Sequence, residues 1–240
     1  MRELDNHTQD AADEGTIWFD DTGAEHKVIQ MLEKLADDDY LHKDSQDGQV
    51  DASRVLDLGT GNGHMLFALR DEEWQGELVG VDYSMASVQL AQQIAAQRQT
   101  AQPQDDDEAA ECTDNESADI SEAPAFFQWD LLHEHPGDWA QQNFDLVLDK
   151  GTYDAISLSA DTDGEGRRIS ERYRDRIILL IESGGFLVIT SCNWTKEELL
   201  SYFVRPDKQL EYFDEAKYPT FTFGGQKGQS VCTLAFQKPK

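Results

Sequence analysis

The chain has 240 residues and a net charge of −28 at neutral pH, with 48 acidic and 20 basic residues. Binding a nucleic-acid backbone requires clustered lysine and arginine. The basic residues here are scattered, which argues against a direct nucleic-acid partner, and an acidic surface instead suits a basic protein partner. No apolar stretch approaches the roughly 18 residues of a membrane helix, and the chain starts with an acidic stretch, so we expect neither a membrane span nor a signal peptide.

The cysteine and histidine content bears on the compartment and on metal chemistry. Three cysteines are an odd number without metal-ligand spacing, which is typical of free thiols in a reducing compartment. The six histidines show no ligand spacing either, so no metal site is expected. We therefore expect a monomeric cytoplasmic protein, with the nucleus as a second location.

Helices and strands alternate through most of the chain. Residues 1–14 are polar and acidic and predict a flexible terminus, followed by one domain over residues 15–240. The apolar period predicts helices, in chain order, over about residues 25–35, 63–70, 84–95, 171–182 and 195–203. Short apolar runs predict strands over about residues 55–58, 78–82, 125–130, 144–149 and 186–190. Gly184–Gly185 is expected to stop the helix over residues 171–182, and Thr195 with Glu198 predicts a capping box.

Two further stretches differ from this alternation. Residues 101–123 hold nine acidic residues and no lysine or arginine, which predicts a disordered surface insertion. Period-two alternation over residues 218–223 and 230–236, around a glycine-rich turn, predicts an antiparallel hairpin that closes the sheet. The predicted fold is α/β: a doubly wound, Rossmann-like sheet of seven strands, parallel except for the C-terminal antiparallel hairpin.

A glycine-rich turn follows the first predicted strand. Gly59, Gly61 and Gly63 alternate directly after it, and glycine lets a backbone approach a ligand closely. Asp57 stands at the start of this turn, where it would repel a pyrophosphate but suits a ligand with a cationic end, such as S-adenosylmethionine. Asp82 ends the next strand, about 20 residues on, where a carboxylate can accept both hydroxyls of a ribose. The alternative is a glycine-rich turn that binds no ligand.

Polar residues follow the end of every predicted parallel strand. A doubly wound sheet binds its ligand beyond the carboxyl ends of its strands, at the point where the strand order reverses. The polar strand ends are Asp57, Asp82, Asp130, Asp149–Lys150 and Asn193–Trp194. We therefore expect these side chains to surround one pocket.

Two sets of motifs resemble known families. The run from Asp57 to Gly63, with Asp82, Trp129–Asp130 and the terminal hairpin, resembles class I seven-stranded S-adenosylmethionine-dependent methyltransferases, which implies the Rossmann-like methyltransferase fold. Three further runs resemble the lysine methyltransferases of translation elongation factor 1-alpha. These runs are Trp18–Phe19, Asp149 to Ile156, and Thr190 to Leu199. The resemblance covers about residues 14–40, 50–98 and 124–240.

The resemblance implies roles in binding S-adenosylmethionine. The three glycines are expected to pass close to its methionine part, Asp57 to hold its ammonium end and Asp82 to bind its ribose hydroxyls. Asp130 is expected to meet the adenine amino group, with Trp129 or Leu131 lining the ring. The remaining expected cofactor-binding residues are Trp18, Thr60, Tyr83 and Asp149.

The resemblance also implies the acceptor and the reaction. Asp149 is expected near the target amine, Asn193 could accept a hydrogen bond from it, and Tyr153, Trp18 and Trp194 are candidates for an aromatic lysine channel. The implied partner is elongation factor 1-alpha, whose lysine amine would displace the sulfonium methyl in line. A small-molecule methyltransferase of the same fold and a non-catalytic adaptor are the alternatives, because the fold alone does not determine the acceptor.

Overall fold

The computed structural model describes residues 19–45, 50–101, 122–219, 221–223, 226–228 and 230–240. The strands are β1 (Val55–Leu58), β2 (Leu78–Asp82), β3 (Ala125–Gln128), β4 (Phe144–Lys150), β5 (Ile181–Ser191), β6 (Glu211–Glu215), β7 (Phe221–Phe223), β8 (Gln226–Gly228) and β9 (Cys232–Gln237). The α-helices are α1 (Ala24–Asp37), α2 (His64–Asp71), α3 (Met85–Ala101), α4 (Thr152–Leu158), α5 (Tyr173–Ile178) and α6 (Lys196–Phe203).

Seven strands form the central sheet, in the order β3-β2-β1-β4-β5-β9-β6. Strands β1 to β5 pair in parallel, whereas β9 pairs antiparallel with both β5 and β6. The strand order reverses between β1 and β4, where Leu58 lies opposite Asp149. The predicted fold class is confirmed, and the reversal point lies where the polar strand ends of β1 and β4 meet.

Helices cover both faces of the sheet. One apolar cluster contains buried side chains of α1, α2 and α3, and the other contains those of α4, α5 and α6. Because parallel strands with both faces covered carry apolar side chains on both sides, β1 and β2 are buried along their whole length. Leu56 and Leu58 belong to one cluster and Val55 to the other, so Asp57, between them, faces the side of α1 and α2.

The strand that completes the sheet differs from the prediction. The alternating residues 221–223 do form a hairpin, with β8, but that pair is a separate two-stranded sheet. Strand β6 takes the predicted place beside β9. Its sequence, Glu-Tyr-Phe-Asp-Glu, has two exposed residues and three partly buried ones. Charged edge strands of this kind carry little apolar alternation, so period two alone does not reveal them.

The predicted helix over residues 171–182 is also shorter than expected. A 3-10 turn over Ile169–Arg172 precedes α5, and β5 begins at Ile181, so Gly184–Gly185 lies inside a strand rather than at a helix end. Gly184 has a φ of +89°, and a Cβ on Gly185 would lie 2.8 Å from the backbone oxygen of Asp145. The pairing of β4 with β5 shifts register beside this point, so the glycines accommodate an irregular pairing.

The remaining predictions concern the capping box, the acidic stretches, the cysteines and membrane spans. The capping box of Thr195 and Glu198 is present at α6. The flexible terminus over residues 1–14, Trp18, and all but the ends of the insertion at 101–123 lie outside the described residues, so these expectations stay predictions. Cys192 and Cys232 are free thiols. Among the described helices, none is long and apolar enough to cross a membrane.

Candidate active site

The predicted polar strand ends lie in one row. Strands β3, β2, β1, β4 and β5 are consecutive neighbours, and their carboxyl ends share one edge of the sheet. Along this edge the order is Asp130, Asp82, Asp57, Asp149 and Asn193. These residues therefore belong to consecutive strand ends, and that they surround one pocket stays a prediction.

The three glycines of the turn after β1 differ in what a side chain at their position would meet. All have left-handed φ values, of +63°, +58° and +80° for Gly59, Gly61 and Gly63. A Cβ on Gly59 would overlap Oγ1 of Thr152, and one on Gly63 would lie 2.6 Å from the Phe126 ring. A Cβ on Gly61 would meet nothing within 4 Å. Packing therefore excludes side chains at Gly59 and Gly63, while Gly61 faces open space.

Asp82 connects the end of β2 to this glycine turn. Its Oδ2 accepts a hydrogen bond of 3.1 Å from the Gly61 amide, and its Oδ1 accepts one of 2.8 Å from the Ser84 amide. The Thr60 amide donates to the Val81 carbonyl at 3.0 Å, so the turn and the strand form one unit. Burial raises the pKa of Asp82, although the two amides oppose this. Each oxygen retains acceptor capacity, as ribose binding requires.

Asp57 is a buried carboxylate at the centre of the row. Its residue is 3% exposed, and burial raises its pKa to about 6, while Thr60 and Lys150 lower it and Glu25 and Asp82 raise it. Because burial disfavours the charged form, a neighbouring cation would stabilise the carboxylate. This site therefore fits the cationic end of a ligand better than a phosphate.

Glu25 of α1 is a second acid beside Asp57 that the sequence did not reveal. Its Oε1 lies 2.9 Å from Nδ1 of His64, the first residue of α2. Its Oε2 is buried and has no hydrogen-bond partner in the described part of the chain. In the sequence Glu25 resembles any polar residue of an amphipathic helix, and only the tertiary contact with His64 brings it to the turn.

Asp130, at the predicted adenine end of the row, is hydrogen-bonded to residues of the turn that follows β3. Asp130 accepts a hydrogen bond of 2.9 Å from the Leu132 amide and lies 2.8 Å from Nδ1 of His133. Burial raises its pKa, but His133 and the backbone amides outweigh this and hold the pKa below its usual value. Trp129 and Leu131 are buried in the apolar cluster of α4 to α6, whereas Tyr83 is 77% exposed. Their roles toward adenine stay predictions.

Asp149 is enclosed by donors rather than open to solvent. It is 1% exposed and accepts hydrogen bonds of 2.9 Å from the amides of Thr152 and Tyr153, and a further bond from the Tyr173 hydroxyl. Burial raises its pKa to about 7, against the lowering effect of these donors. The carboxylate thus caps the start of α4, where the helix dipole favours negative charge. Tyr173, 24 residues away, is a partner that no local pattern indicated.

Two of the three predicted aromatic residues, Tyr153 and Trp194, stack beside Asp149, together with Tyr202, which was not predicted; Trp18 lies outside the described residues. The Tyr153 ring lies 5.3 Å from the Trp194 ring and 5.0 Å from the Tyr202 ring, and both pairs are stacked. Tyr153 is buried, Trp194 is partly buried and Asn193 is exposed. Tyr153 is therefore covered by Trp194 and Tyr202, which are both partly buried, and Asn193 is the exposed member of this group.

Asp154 joins α4 to the loop that contains Asn193 and Trp194. Its carboxylate accepts from the Ser191 hydroxyl and, at 2.8 Å, from the Cys192 amide. The sequence placed Asp154 within a family-like run but assigned it no contact. Its partners lie 37 and 38 residues away, so no spacing in the sequence reveals them.

Comparisons with known proteins agree with this geometry. The profile of the family described as "Methyltransferase domain" matches residues 49–229. Protein-lysine N-methyltransferase EFM4 of Saccharomyces cerevisiae is 37% identical over 236 residues, which cover 98% of this chain and 89% of that protein. EEF1A lysine methyltransferase 2 of Homo sapiens is 34% identical over 228 residues, which cover 94% of this chain and 77% of that protein.

Solved structures show the same fold at low sequence identity. N-methyltransferase NodS from Bradyrhizobium japonicum WM9, in complex with S-adenosyl-L-homocysteine, has a TM-score of 0.57 and 16% identity, covering 100% of this chain and 96% of that chain. Magnesium protoporphyrin IX methyltransferase from Synechocystis PCC 6803, with bound SAM, has a TM-score of 0.55 and 14% identity, covering 98% and 94%. This chain therefore belongs to the methyltransferase-domain family and, within it, to the group of lysine methyltransferases that includes EFM4 and EEF1A lysine methyltransferase 2.

Proposed function

We propose that the chain is an S-adenosylmethionine-dependent protein-lysine N-methyltransferase that acts on translation elongation factor 1-alpha. The observation that carries this proposal is the likeness over nearly the whole chain to one relative named as a protein-lysine N-methyltransferase and another named as an EEF1A lysine methyltransferase. The row of strand ends supports it, because the acidic groups that a cationic cofactor needs lie together. We place its action in the cytoplasm, with the nucleus as a second location, as a monomer.

The cofactor would lie along the row from β3 to β1. Asp57 and Oε2 of Glu25, which has no hydrogen-bond partner among the described residues, would hold its ammonium end, and the open face of Gly61 would let it approach the backbone. Asp82 would accept the ribose hydroxyls, since its two amide contacts leave acceptor capacity on both oxygens. Asp130 would meet the adenine amino group. When bound, the cofactor supplies an electrophilic sulfonium methyl.

The acceptor lysine must be neutral to attack a methyl group. A free lysine amine has a pKa near 10.4, so the site must desolvate it or let water take its proton. Asp149 is held by two amides and a tyrosine hydroxyl, which leaves it poorly placed as a general base. We therefore assign Asp149 to fixing the start of α4 beside the amine. Proximity and orientation supply most of the rate, and no single essential base is expected.

The surface side of the site would receive the protein substrate. Asn193 is exposed and offers an amide oxygen to the incoming amine, and Trp194 offers an aromatic face to an ammonium. The net charge of −28 favours encounter with a basic protein through complementary potentials. That attraction would weaken as salt concentration rises.

A labelled-cofactor assay tests the proposed function. A lysate from cells that lack this protein is incubated with purified chain and S-adenosylmethionine labelled in the methyl group. We expect one labelled band at the size of elongation factor 1-alpha, and loss of that label when its target lysine is replaced by arginine. Label only in small molecules would instead identify a small-molecule methyltransferase. Absence of cofactor binding by calorimetry would identify an adaptor.

A further inference from the structure

A buried carboxylate ties the first turn of α4 to the loop after β5. Asp154 is 3% exposed and lies in the first turn of α4. Its Oδ1 accepts from the Ser191 hydroxyl, and its Oδ2 accepts a hydrogen bond of 2.8 Å from the Cys192 amide. Because one carboxylate holds two consecutive residues of the loop, it fixes the direction in which the chain leaves β5.

The connection continues through Ser191 to the surface residues. The Ser191 hydroxyl donates a hydrogen bond to Asp154, and its oxygen accepts hydrogen bonds from the amides of Asn193 at 3.1 Å and Trp194 at 2.9 Å. Asp154 thus orients Ser191, and Ser191 orients the backbone of the next two residues. We refer to Asp154 and the loop 191–194 that it holds as the carboxylate latch.

The side chain of Trp194 is fixed to the same helix. Its Nε1 donates to Oγ of Ser157 at 3.1 Å, and its ring stacks on Tyr153, so it contacts both ends of α4. The backbone amide of Asn193 is bonded to Ser191, but the residue remains exposed. The result is a loop, hydrogen-bonded to α4, that carries one exposed polar side chain and one partly buried aromatic side chain.

A buried carboxylate is an energetically costly group with which to join a helix and a loop. Burial of a charge is unfavourable unless hydrogen bonds compensate, and apolar side chains would hold the two elements together without that cost. Apolar contact, however, is non-directional. A carboxylate that accepts from one hydroxyl and one amide sets the orientation of the loop, which indicates that the position of Asn193 and Trp194 matters.

We propose that Asp154 is a positioning residue for the acceptor side of the site, which holds Asn193 and Trp194 as the wall along which the substrate lysine enters. This inference rests on the proposed function. It assigns Asp154 to substrate recognition and not to the cofactor, whose candidate carboxylates Asp57 and Asp82 lie on β1 and β2. It also gives a physical link between the runs 149–156 and 190–199, which the latch connects.

The variant Asp154→Asn tests the proposal with little change in volume. An asparagine has one acceptor oxygen and one NH2 donor group, so it cannot accept from both the Ser191 hydroxyl and the Cys192 amide as the carboxylate does. We expect KM for elongation factor 1-alpha to rise about tenfold, while kcat at saturating substrate and the Kd of S-adenosylhomocysteine change less than about twofold. Trp194 emission, isolated by subtraction of the matching Trp194→Phe protein, should shift to longer wavelength as the indole meets water.

Ser191→Ala and Asp145→Asn provide a milder variant and a matched control. Ser191→Ala breaks the latch from its other side, so the effects of the two latch variants on KM should be strongly non-additive. Asp145 also lies on the β4–α4 segment and accepts a backbone amide, that of Arg54 at 2.8 Å, but at the opposite end of β4. Asp145→Asn should leave KM and Trp194 emission unchanged.

Distinct outcomes separate the inference from the proposed function. An unchanged KM for both latch variants would overturn the positioning role. So would a rise in KM that is matched by an equal loss of cofactor affinity and follows a loss of thermal stability. A wild-type chain that binds the cofactor but does not methylate elongation factor 1-alpha would overturn the proposed function and the substrate part of the inference. In that case a red-shifted Trp194 in Asp154→Asn would still show that the latch orders the loop.

Discussion

The two halves of the strand-end row are constructed differently. The cofactor half, formed by residues 57–63 and Asp82, is held by backbone amides and spans a short stretch: the contact between Gly61 and Asp82 joins residues 21 apart. The acceptor half, formed by residues 149–158 and 191–194, combines bonds from backbone amides with bonds between side chains. Its side-chain contacts from Asp154 to Ser191 and from Trp194 to Ser157 each join residues 37 apart.

This difference explains which part of the site a sequence can reveal. Glycines at alternate positions with acids at two strand ends are a local pattern with a chemical meaning, so the cofactor half followed from the residues. The acceptor half depends on pairings between distant side chains, and its sequence indicated an acceptor only through resemblance to a family. A change in the cofactor half should therefore alter affinity for the cofactor, and a change in the acceptor half should alter KM for the protein substrate.

The largest expected effect is at Gly59, where the two halves meet. An added Cβ would overlap Oγ1 of Thr152, which donates to the Leu58 carbonyl at 2.6 Å, and φ is left-handed. Gly59→Ala should reduce the free energy of unfolding by about 3 kcal/mol, because overpacking and backbone strain combine. Gly61→Ala, which meets open space, should cost only about 1 kcal/mol. Urea unfolding measures both, and equal losses would contradict the assignment of different roles.

The second prediction concerns Asp82 and cofactor affinity. Asp82→Ala removes a charge-assisted acceptor for the ribose, so affinity for S-adenosylhomocysteine should fall by about 2 kcal/mol, or roughly thirtyfold. Calorimetry measures the Kd, and far-ultraviolet circular dichroism checks that the fold survives. An unchanged Kd in a folded variant would show that the ribose assignment is wrong.

The third prediction concerns the charge on Asp57. Because its pKa is raised to about 6, the carboxylate is charged above that pH and becomes neutral as the pH falls through it. Affinity for S-adenosylhomocysteine should therefore weaken between about pH 7 and about pH 5, and Asp57→Asn should lower it about tenfold at high pH and reduce this pH dependence.

A matched ligand provides the control for Asp57. 5′-Methylthioadenosine has the ribose and adenine but no ammonium group, so its affinity should not respond to Asp57→Asn, and any pH dependence that it shows reports on groups other than Asp57, such as Asp82. If 5′-methylthioadenosine loses affinity to the same extent as S-adenosylhomocysteine, Asp57 does not act on the ammonium end. The same pair of ligands can be applied to Glu25→Gln.

The smallest expected effect is at Tyr173, which supports Asp149 from outside the cofactor half. Tyr173→Phe removes one hydrogen bond to the buried carboxylate and should reduce stability by about 1 kcal/mol. The Kd of S-adenosylhomocysteine should stay at the wild-type value. A large loss of cofactor affinity would place Asp149 in the cofactor half and remove the distinction drawn between the halves.

In the fold, as in the site, the features that depend on local sequence patterns were predictable and those that depend on contacts between distant residues were not. Buried parallel strands such as β2 and β4 carry apolar runs whose ends are visible in the sequence, and these were placed correctly. The charged edge strand β6 and the glycines inside β5 were not, because their structures depend on pairing with distant strands. Glu25, Tyr173 and Asp154 were missed for that reason too, since each acts through a contact with a distant residue.

Methylation of elongation factor 1-alpha can be followed residue by residue in a reaction of purified components. The purified chain, purified elongation factor 1-alpha and S-adenosylmethionine are incubated together, and the methylated residues are located by mass spectrometry. We expect methylation of a lysine in elongation factor 1-alpha. The Asp82→Ala variant should lose this activity at low cofactor concentration and regain it at high cofactor concentration. Unmodified lysines in the presence of a chain that binds the cofactor by calorimetry would contradict it.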